Sequence, residues 1–254
     1  MTVGLVTIAT GRYIEFVPNL VASARTYLHE LGPVFVLTDA DHVDMTGDVR
    51  VLPWGRMAWP LPTLLRYRAF SQYAEELSSV DVLLYTDADM QFVGPVDVSA
   101  ATGLIAVQHP GFVSAPAADL PYERRSSSTA CVPRGLERRY FCGGVQGGAT
   151  SRYLAASAAI DAAIAQDEAN GITAVWHDES QWNRYLLDHP ADLELGMEYC
   201  TPDVARTTES RILAITKDHA YFRELTGLQR AIRFANRIAF SIALRVRRLA
   251  RRAR

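Results

Sequence analysis

The stretch Asp81-Val-Leu-Leu-Tyr-Thr-Asp-Ala-Asp-Met90 decides the fold. Val82 to Tyr85 are four apolar residues without polar interruption, the pattern of a strand covered on both faces. Two carboxylates, Asp87 and Asp89, then leave its carboxyl end with only Ala88 between them. In an open α/β sheet that edge is where ligands bind. Hard divalent cations take oxygen ligands, and Mg²⁺ or Mn²⁺ is commonly shared between a carboxylate or two and substrate phosphates. The plainer alternative is a polar turn after a strand, because Asp is a common turn residue.

Outward from this run, strand-like segments occur at 3–9, 34–38, 49–52, 104–108 and 212–215, and helical patterns at 16–31, 64–77, 153–169 and 178–187. In the first hundred residues the two types alternate, which predicts βαβ units and a mostly parallel sheet in an α/β domain. The connection Trp54-Gly-Arg-Met-Ala-Trp-Pro-Leu-Pro62 is turn-rich and carries two Trp, as a lid or a packed surface loop would. Residues 115–135, rich in Ser, Pro and Arg, read as a long irregular excursion, functional or disordered.

The 254 residues suit one large domain or two small ones, and 49% hydrophobic residues supply a substantial core. No 18-residue apolar run predicts a membrane-spanning helix. The N-terminus lacks the basic region and cleavage site of a signal peptide. Cys131, Cys142 and Cys200 are odd in number and without metal-finger spacing. Together these predict reduced thiols and a cytoplasmic setting. The net charge of −2 hides an asymmetry. Nine Arg and no acidic residue lie between Arg230 and Arg254, so the preceding residues carry 17 basic against 28 acidic groups, a net of −11. Lys217 is the only lysine.

Three further clusters carry chemistry. In Trp176-His-Asp-Glu-Ser-Gln-Trp-Asn-Arg-Tyr-Leu-Leu187, Asp178 followed three residues later by Gln181 has the form of a helix-capping box. Capping explains Asp178 but not a Trp and a His beside two carboxylates. A carboxylate among aromatic rings is partly desolvated, which suits nucleophilic or charge-stabilising work. In Tyr140-Phe-Cys-Gly-Gly-Val-Gln-Gly-Gly148, four glycines in six residues allow close approach of a ligand, although a tight turn is the simpler reading. In Ala106-Val-Gln-His-Pro-Gly-Phe112 and Pro121-Tyr-Glu-Arg-Arg125, His109 is either a hydrogen-bonding group at a pocket mouth or a structural residue, and Arg124 and Arg125 read as a solvated basic patch.

The order and wording of these clusters resemble glycosyltransferase family six, the family of the histo-blood-group A and B transferases, the α1,3-galactosyltransferases and their bacterial relatives. The resemblance spans roughly residues 3–224. Its most specific piece is Ala174-Val-Trp-His-Asp-Glu-Ser180 with Asn183-Arg-Tyr-Leu-Leu187 and His189, supported by His109-Pro-Gly-Phe112, Tyr122-Glu-Arg-Arg125 and the Gly143 to Gly148 segment. It implies a GT-A fold, a Rossmann-like nucleotide-binding sheet with a fused acceptor-binding half, over 1–225. It also implies a retaining, metal-dependent transfer of N-acetylgalactosamine or galactose from a UDP-sugar to a galactose-terminated acceptor in α1,3 linkage. The matching positions imply that Asp87, Ala88 and Asp89 lie against the donor, with both Asp holding Mn²⁺ (or Mg²⁺). They imply that Ile8, Thr10 and Tyr13 surround the uracil and ribose, that Arg66 contacts the donor, and that Asp178 binds the donor sugar. Lys217, His219 and Arg223 match a segment that folds over the diphosphate. Glu179 would lie beneath the anomeric carbon as catalytic residue, either as a nucleophile like that of a retaining glycosidase or as a stabiliser of positive charge during same-face attack. His109 and Trp176 would hold the acceptor. Gly111, Cys142 and Gly144 would shape the pocket at the sugar's C2 substituent, where the small Gly144 leaves room for an acetamido group.

The basic C-terminal stretch, 226–254, places Leu228, Ile232, Ala235, Ala239, Ile242, Val246 and Leu249 on one helical stripe with arginines opposite. A basic amphipathic helix of this kind reads as peripheral contact with the inner membrane face, although packing on the domain or on a second copy gives the same pattern. Other classes fit less well. A metal-dependent nucleotidyltransferase has no use for Trp176-His-Asp-Glu179. A non-catalytic sugar- or nucleotide-binding domain would not need Asp87, Asp89 and Glu179 together. Nucleic-acid binding is disfavoured by the acidic body.

Overall fold

In the computed structural model, residues 1–43 and 46–223 are described. The basic stretch at 226–254, and with it the expected helix and domain boundary, lies outside them. Among the described residues there are ten strands: β1 (Val3–Ile8), β2 (Leu31–Thr38), β3 (Val49–Pro53), β4 (Val82–Thr86), β5 (Met90–Phe92), β6 (Leu104–Gln108), β7 (Phe141–Ala149), β8 (Leu193–Leu195), β9 (Thr201–Pro202) and β10 (Ile212–Ala214). The helices are α1 (Val17–Tyr27), α2 (Leu61–Leu64), α3 (Arg66–Gln72), α4 (Ala74–Leu77), α5 (Thr150–Ala169), α6 (His177–Asp188) and α7 (His219–Phe222).

A seven-stranded sheet runs in the order β3-β2-β1-β4-β7-β6-β8. Every neighbour pair in it is parallel except the two that β7 makes, so β7 alone runs against the rest. The result is a mixed α/β architecture with a large, mostly parallel central sheet. A small second sheet, β5-β10-β9, forms where β10 pairs antiparallel to β5.

The strand that opened the sequence reading sits at the centre and is buried along its whole length. Its alternation sends Val82 and Leu84 into a core shared with α1, and Leu83 and Tyr85 into a second core on the other face with α3, α5 and α6. An uninterrupted apolar run is therefore required, since neither face meets water.

Three expectations need correction. The glycine-rich segment is not a turn but most of β7, paired with β4 and β6. A Cβ on Gly147 would come 2.3 Å from the Leu83 carbonyl oxygen, so the strand packs there only without a side chain. The helical pattern at 64–77 breaks into α2, α3 and α4, with the chain leaving helical geometry at Leu65 and Tyr73. The excursion at 115–135 is ordered by a buried carboxylate. Glu123 accepts hydrogen bonds from the Arg124, Arg125 and Val175 amides and pairs with the Arg125 guanidinium at 2.6 Å. Arg124 pairs with Glu137 at 2.8 Å, so the two arginines tie the loop down rather than forming a solvated patch.

The chain divides into two units, Met1–Thr216 and Lys217–Arg254. In the second, α7 is capped by the Asp218 side chain, which accepts from the Ala220 amide at 2.8 Å. None of the described helices is long and apolar enough to cross a membrane.

Candidate active site

The antiparallel pairing of β7 with β4 brings two motifs together. Thr86 lies opposite Val145, and one residue further on the Asp87 amide donates to the Gly144 carbonyl at 2.9 Å. A side-chain clamp adds the third. Asn183 on α6 accepts from the Phe141 amide (2.8 Å) and donates to the Phe141 carbonyl (2.7 Å) and to the Glu179 carbonyl (2.9 Å). The first turn of α6 is thereby fixed against the start of β7. The Gly143 amide donates to the Glu179 carboxylate at 2.8 Å.

Gly143 and Gly144 are where the carboxylates meet. A Cβ on Gly143 would stand 3.1 Å from Asp178 Oδ2 and 3.3 Å from Glu179 Cβ. One on Gly144 would stand 2.7 Å from the Met90 methyl and 3.1 Å from Asp87 Oδ2. The space beside Gly144 is thus already filled by Met90 and Asp87, and its missing side chain does not leave the open room expected of it.

Arg66 links the groups. Its guanidinium lies 3.1 Å from Asp178 and 3.3 Å from Asp87, donates to the Gly143 carbonyl at 2.5 Å, and stacks over the Tyr85 ring with its central carbon 4.4 Å from the centroid. Burial opposes its charge, but Asp178 first, then Tyr85 and Asp87, hold it well above its ordinary range. It is fully cationic. Arg66, expected at the donor, is buried at the start of α3.

The two carboxylates of α6 are electrostatically unlike surface acids. Burial pushes Asp178 up to about 6, against the pull of Arg66 and with a further push from Asp87. Burial pushes Glu179 up to about 7, against the Gly143 amide and with repulsion from Asp178. The Tyr140 hydroxyl lies beside Glu179 and lowers it modestly. The expected capping box does not form. No side chain caps the start of α6, the Trp176 amide donates to Ser180 Oγ at 3.0 Å, and Gln181 donates to Thr129 and Asp167. Asp178 faces Arg66 instead.

Asp87 accepts from the Tyr85 hydroxyl at 2.6 Å and from Arg66, both through Oδ1, while Oδ2 faces the Gly144 α-carbon. Asp89 is buried. Two carboxylates with oxygen donors suit a hard cation that takes its remaining ligands from water and phosphate. Among the described residues no group of three or more His, Cys, Asp or Glu forms a metal cage. Ala88 between them packs into the core.

The expected acceptor residues flank this centre. His109 Nδ1 accepts from the Gly111 amide at 3.0 Å, and its ring packs 4.7 Å from Phe112 and 6.0 Å from Tyr140. Because Nδ1 accepts, the neutral ring carries its proton on Nε2, and burial lowers the pKa of the ring. Trp176 is 46% exposed. His177 begins α6 with φ of 52°, a left-handed conformation unusual for a residue with a side chain, and meets the Trp59 ring edge-on at 5.0 Å. Cys142 is buried beside Cys200, and all three cysteines are free. Ile8 ends β1, Thr10 is nearly buried, and Tyr13 packs on the α1 side of the core at the carboxyl edge of the sheet. Lys217, His219 and Arg223 fall in the second unit.

Gln146 and Tyr67 were not singled out by the sequence. Gln146 is wholly buried, donating to the Gly143 carbonyl at 2.9 Å and accepting from the Tyr67 hydroxyl at 2.9 Å. A polar residue amid the glycines of a strand was the one available signal.

Residues 1–224 match the family model of glycosyltransferase family 6. Over 214 residues the chain is 31% identical to globoside alpha-1,3-N-acetylgalactosaminyltransferase 1 of Gallus gallus, covering 80% of this chain and 62% of the relative. It is 30% identical over 245 residues to histo-blood group ABO system transferase 1 of Rattus norvegicus, covering 87% and 68%. It is 27% identical over 191 residues to the O-antigen biosynthesis glycosyltransferase WbnI of Escherichia coli, covering 73% and 82%. The chain thus spans about three fifths of the length of the globoside transferase.

Proposed function

The chain belongs to glycosyltransferase family 6, and on that footing we propose that it is a retaining glycosyltransferase of GT-A type. It moves N-acetylgalactosamine or galactose from a UDP-sugar to a galactose-terminated acceptor in α1,3 linkage. The observation that supports this most is the convergence on Gly143 and Gly144 of Asp87 from one motif and Asp178 and Glu179 from another. The names of relatives, which give N-acetylgalactosaminyl and galactosyl transfer in α1,3 linkage, support this choice of donor and linkage.

Asp87 and Asp89 would hold Mn²⁺ or Mg²⁺, and the cation when bound supplies positive charge against the diphosphate. The protein's own contribution follows from its charges. Arg66 is a fixed cation beside Asp87 and Asp178, so it orients both before the donor arrives and adds positive potential where the leaving group gains negative charge. Asp178 accepts a hydrogen bond from a hydroxyl of the donor sugar. Ionised Glu179, held by the Gly143 amide, faces the anomeric carbon as that carbon gains positive character. Whether it forms a bond or only stabilises charge, it acts in the anionic form. His109 presents Nε2–H to an acceptor oxygen, and the exposed Trp176 indole offers an apolar face to a galactose ring. Ile8, Thr10 and Tyr13 line the uracil and ribose side. For 226–254 the reading is contact with an anionic inner leaflet, and liposome flotation with and without those residues tests it.

The test is incubation with UDP-galactose and UDP-N-acetylgalactosamine, with and without Mn²⁺, against a panel of β-galactosides. Transfer to a 3-hydroxyl with retained configuration, abolished by chelation, is expected. Absence of transfer from either donor overturns the proposal. Glu179→Gln is expected to lose most of the rate while calorimetry still detects UDP binding, and near-normal turnover would remove Glu179 from the mechanism.

A further inference from the structure

We propose that Gln146, anchored by Tyr67, is a positioning residue that aims the Gly143 amide at Glu179. The inference rests on Glu179 acting as set out above. Glycine is the least restrained of residues, because it has no Cβ to exclude backbone conformations. Gly143 must nevertheless point its N–H steadily at one carboxylate oxygen, 2.8 Å away. No side chain fits there to stiffen it, since a Cβ would press on Asp178 and Glu179.

Stiffness comes from the other side of the residue. The Gly143 carbonyl accepts two hydrogen bonds, from Arg66 Nη1 and from Gln146 Nε2. With the carbonyl pinned, Gly143 can swing its N–H off Glu179 only by a turn of the Cys142–Gly143 peptide, which lies within β7. The two donors are not equivalent. Arg66 is also tied to Asp87 and Asp178, groups that a donor engages, so its position follows the ligand. Gln146 touches neither. Its other end accepts from Tyr67, whose ring is wholly buried in the core between the sheet and α5, edge-on to Phe70 at 6.3 Å. The Gly143 carbonyl can only accept, so it takes the Gln146 NH₂ and leaves the amide oxygen to accept from the Tyr67 hydroxyl. A rigid core element thus sets the reference for a soft glycine at the reacting centre.

The charged and titratable groups around Glu179 are Asp178 on its own helix, Arg66 and Tyr67 from α3, Tyr140 before β7, and Cys200. Of these only Tyr67 is altered in the test, and it is neutral throughout the working range. Losing the aim of the Gly143 amide removes a contact that favours the anion, so Glu179 takes up its proton at higher pH.

The experiment uses the full chain as wild type, Gln146→Leu and Tyr67→Phe, with Glu179→Gln to identify the Glu179 band in infrared pH-difference spectra. Melting curves confirm folding. The expected result is a kcat lowered on the order of ten- to a hundredfold, a donor KM within about twofold of wild type, and an upward shift in the pH at which the Glu179 carboxylate band appears. If Gln146→Leu does not fold, Tyr67→Phe decides, since it removes a single oxygen from a buried side chain. A folded variant with wild-type kcat and an unmoved band overturns the proposal, and so does a loss of rate with the band unmoved. Should the wild type transfer no sugar, the functional reading fails separately. The band then decides alone: a shift in both variants upholds the positioning role and no shift overturns it.

Discussion

The guanidinium of Arg66 lies 3.1 Å from the carboxylate of Asp178, with the two side chains 2% and 7% exposed. A pair this deep is a poor source of net stability, because both charges have left water, but breaking it strands the survivor. Arg66→Met leaves Asp178 beside Asp87 and Glu179 with no cation. The expected loss, read by urea unfolding at pH 8, is about 3–5 kcal/mol. At pH 5 the loss is expected to shrink, because Asp178 without Arg66 escapes the penalty by taking up a proton. An equal loss at both pH values would mean that packing, not charge, explains the effect.

Glu179 gives a pH signature of its own. Its folded value is raised from 4.5 to about 7, chiefly by burial. The native state therefore holds this proton where the unfolded chain has released it. The stabilisation is fully present below about pH 4.5 and is lost as pH rises through about 7. Over that window wild type is expected to lose up to about 3 kcal/mol relative to Glu179→Gln. Denaturation of both proteins at intervals from pH 4.5 to 8 measures it. The kcat/KM of wild type should rise over the same range, because the anion is the working form.

Much of this was legible in the sequence, for physical reasons. An apolar run of four predicts a central strand covered on both faces, and β4 is that strand, with Asp87 just past its carboxyl end. The Trp176-His-Asp-Glu cluster announced itself as too aromatic for a plain helix start. The failures are equally physical. Glycine has no side chain to show a period of two, so β7 resembled a turn until pairing was visible. Asp178 and Gln181 have capping-box spacing whether they turn back to the helix end or inward to Arg66 and Asp167, and burial decides between these. Arg66 and Gln146 act through contacts to residues 77 and 3 positions away. The first of these leaves no local pattern at all.

Gly147 tests the claim that β7 is glycine-rich for packing as well as for chemistry. Its added Cβ would stand 2.3 Å from the Leu83 carbonyl oxygen and 3.1 Å from the Leu84 α-carbon, both backbone atoms of the central strand. Backbone cannot step aside as a side-chain tip can. Gly147→Ala is therefore expected to destabilise by at least about 3 kcal/mol, the upper end of ordinary overpacking. Chemical denaturation checks this. Gly135→Ala is a poor control, since Gly135 has φ of 89°, whereas Gly55 has nothing within 4 Å of its added Cβ. Gly55→Ala should leave stability within about 0.5 kcal/mol of wild type.

Asn183 carries the last prediction, because it decides whether the candidate site is assembled at all. Its amide makes three hydrogen bonds, two to both backbone groups of Phe141 and one to the Glu179 carbonyl. Asn183→Ala leaves a buried N–H and a buried C=O on Phe141 without partners, each worth about 1–3 kcal/mol when stranded. Unfolding should therefore show a loss of at least about 3 kcal/mol. Asn183→Asp separates geometry from donor chemistry. The carboxylate can still accept from the Phe141 amide, but it sets oxygen against the Phe141 and Glu179 carbonyls, where the wild type has an NH₂. At pH 8 it should be at least as destabilised as the alanine variant, and it should recover toward pH 5, where a protonated carboxyl can donate again. If Asn183→Asp matched wild type at pH 8, the clamp would not depend on the amide donor, and the docking of α6 on β7 would have to rest on the Phe141 and Gly143 amides and on packing of Trp182 and Leu186.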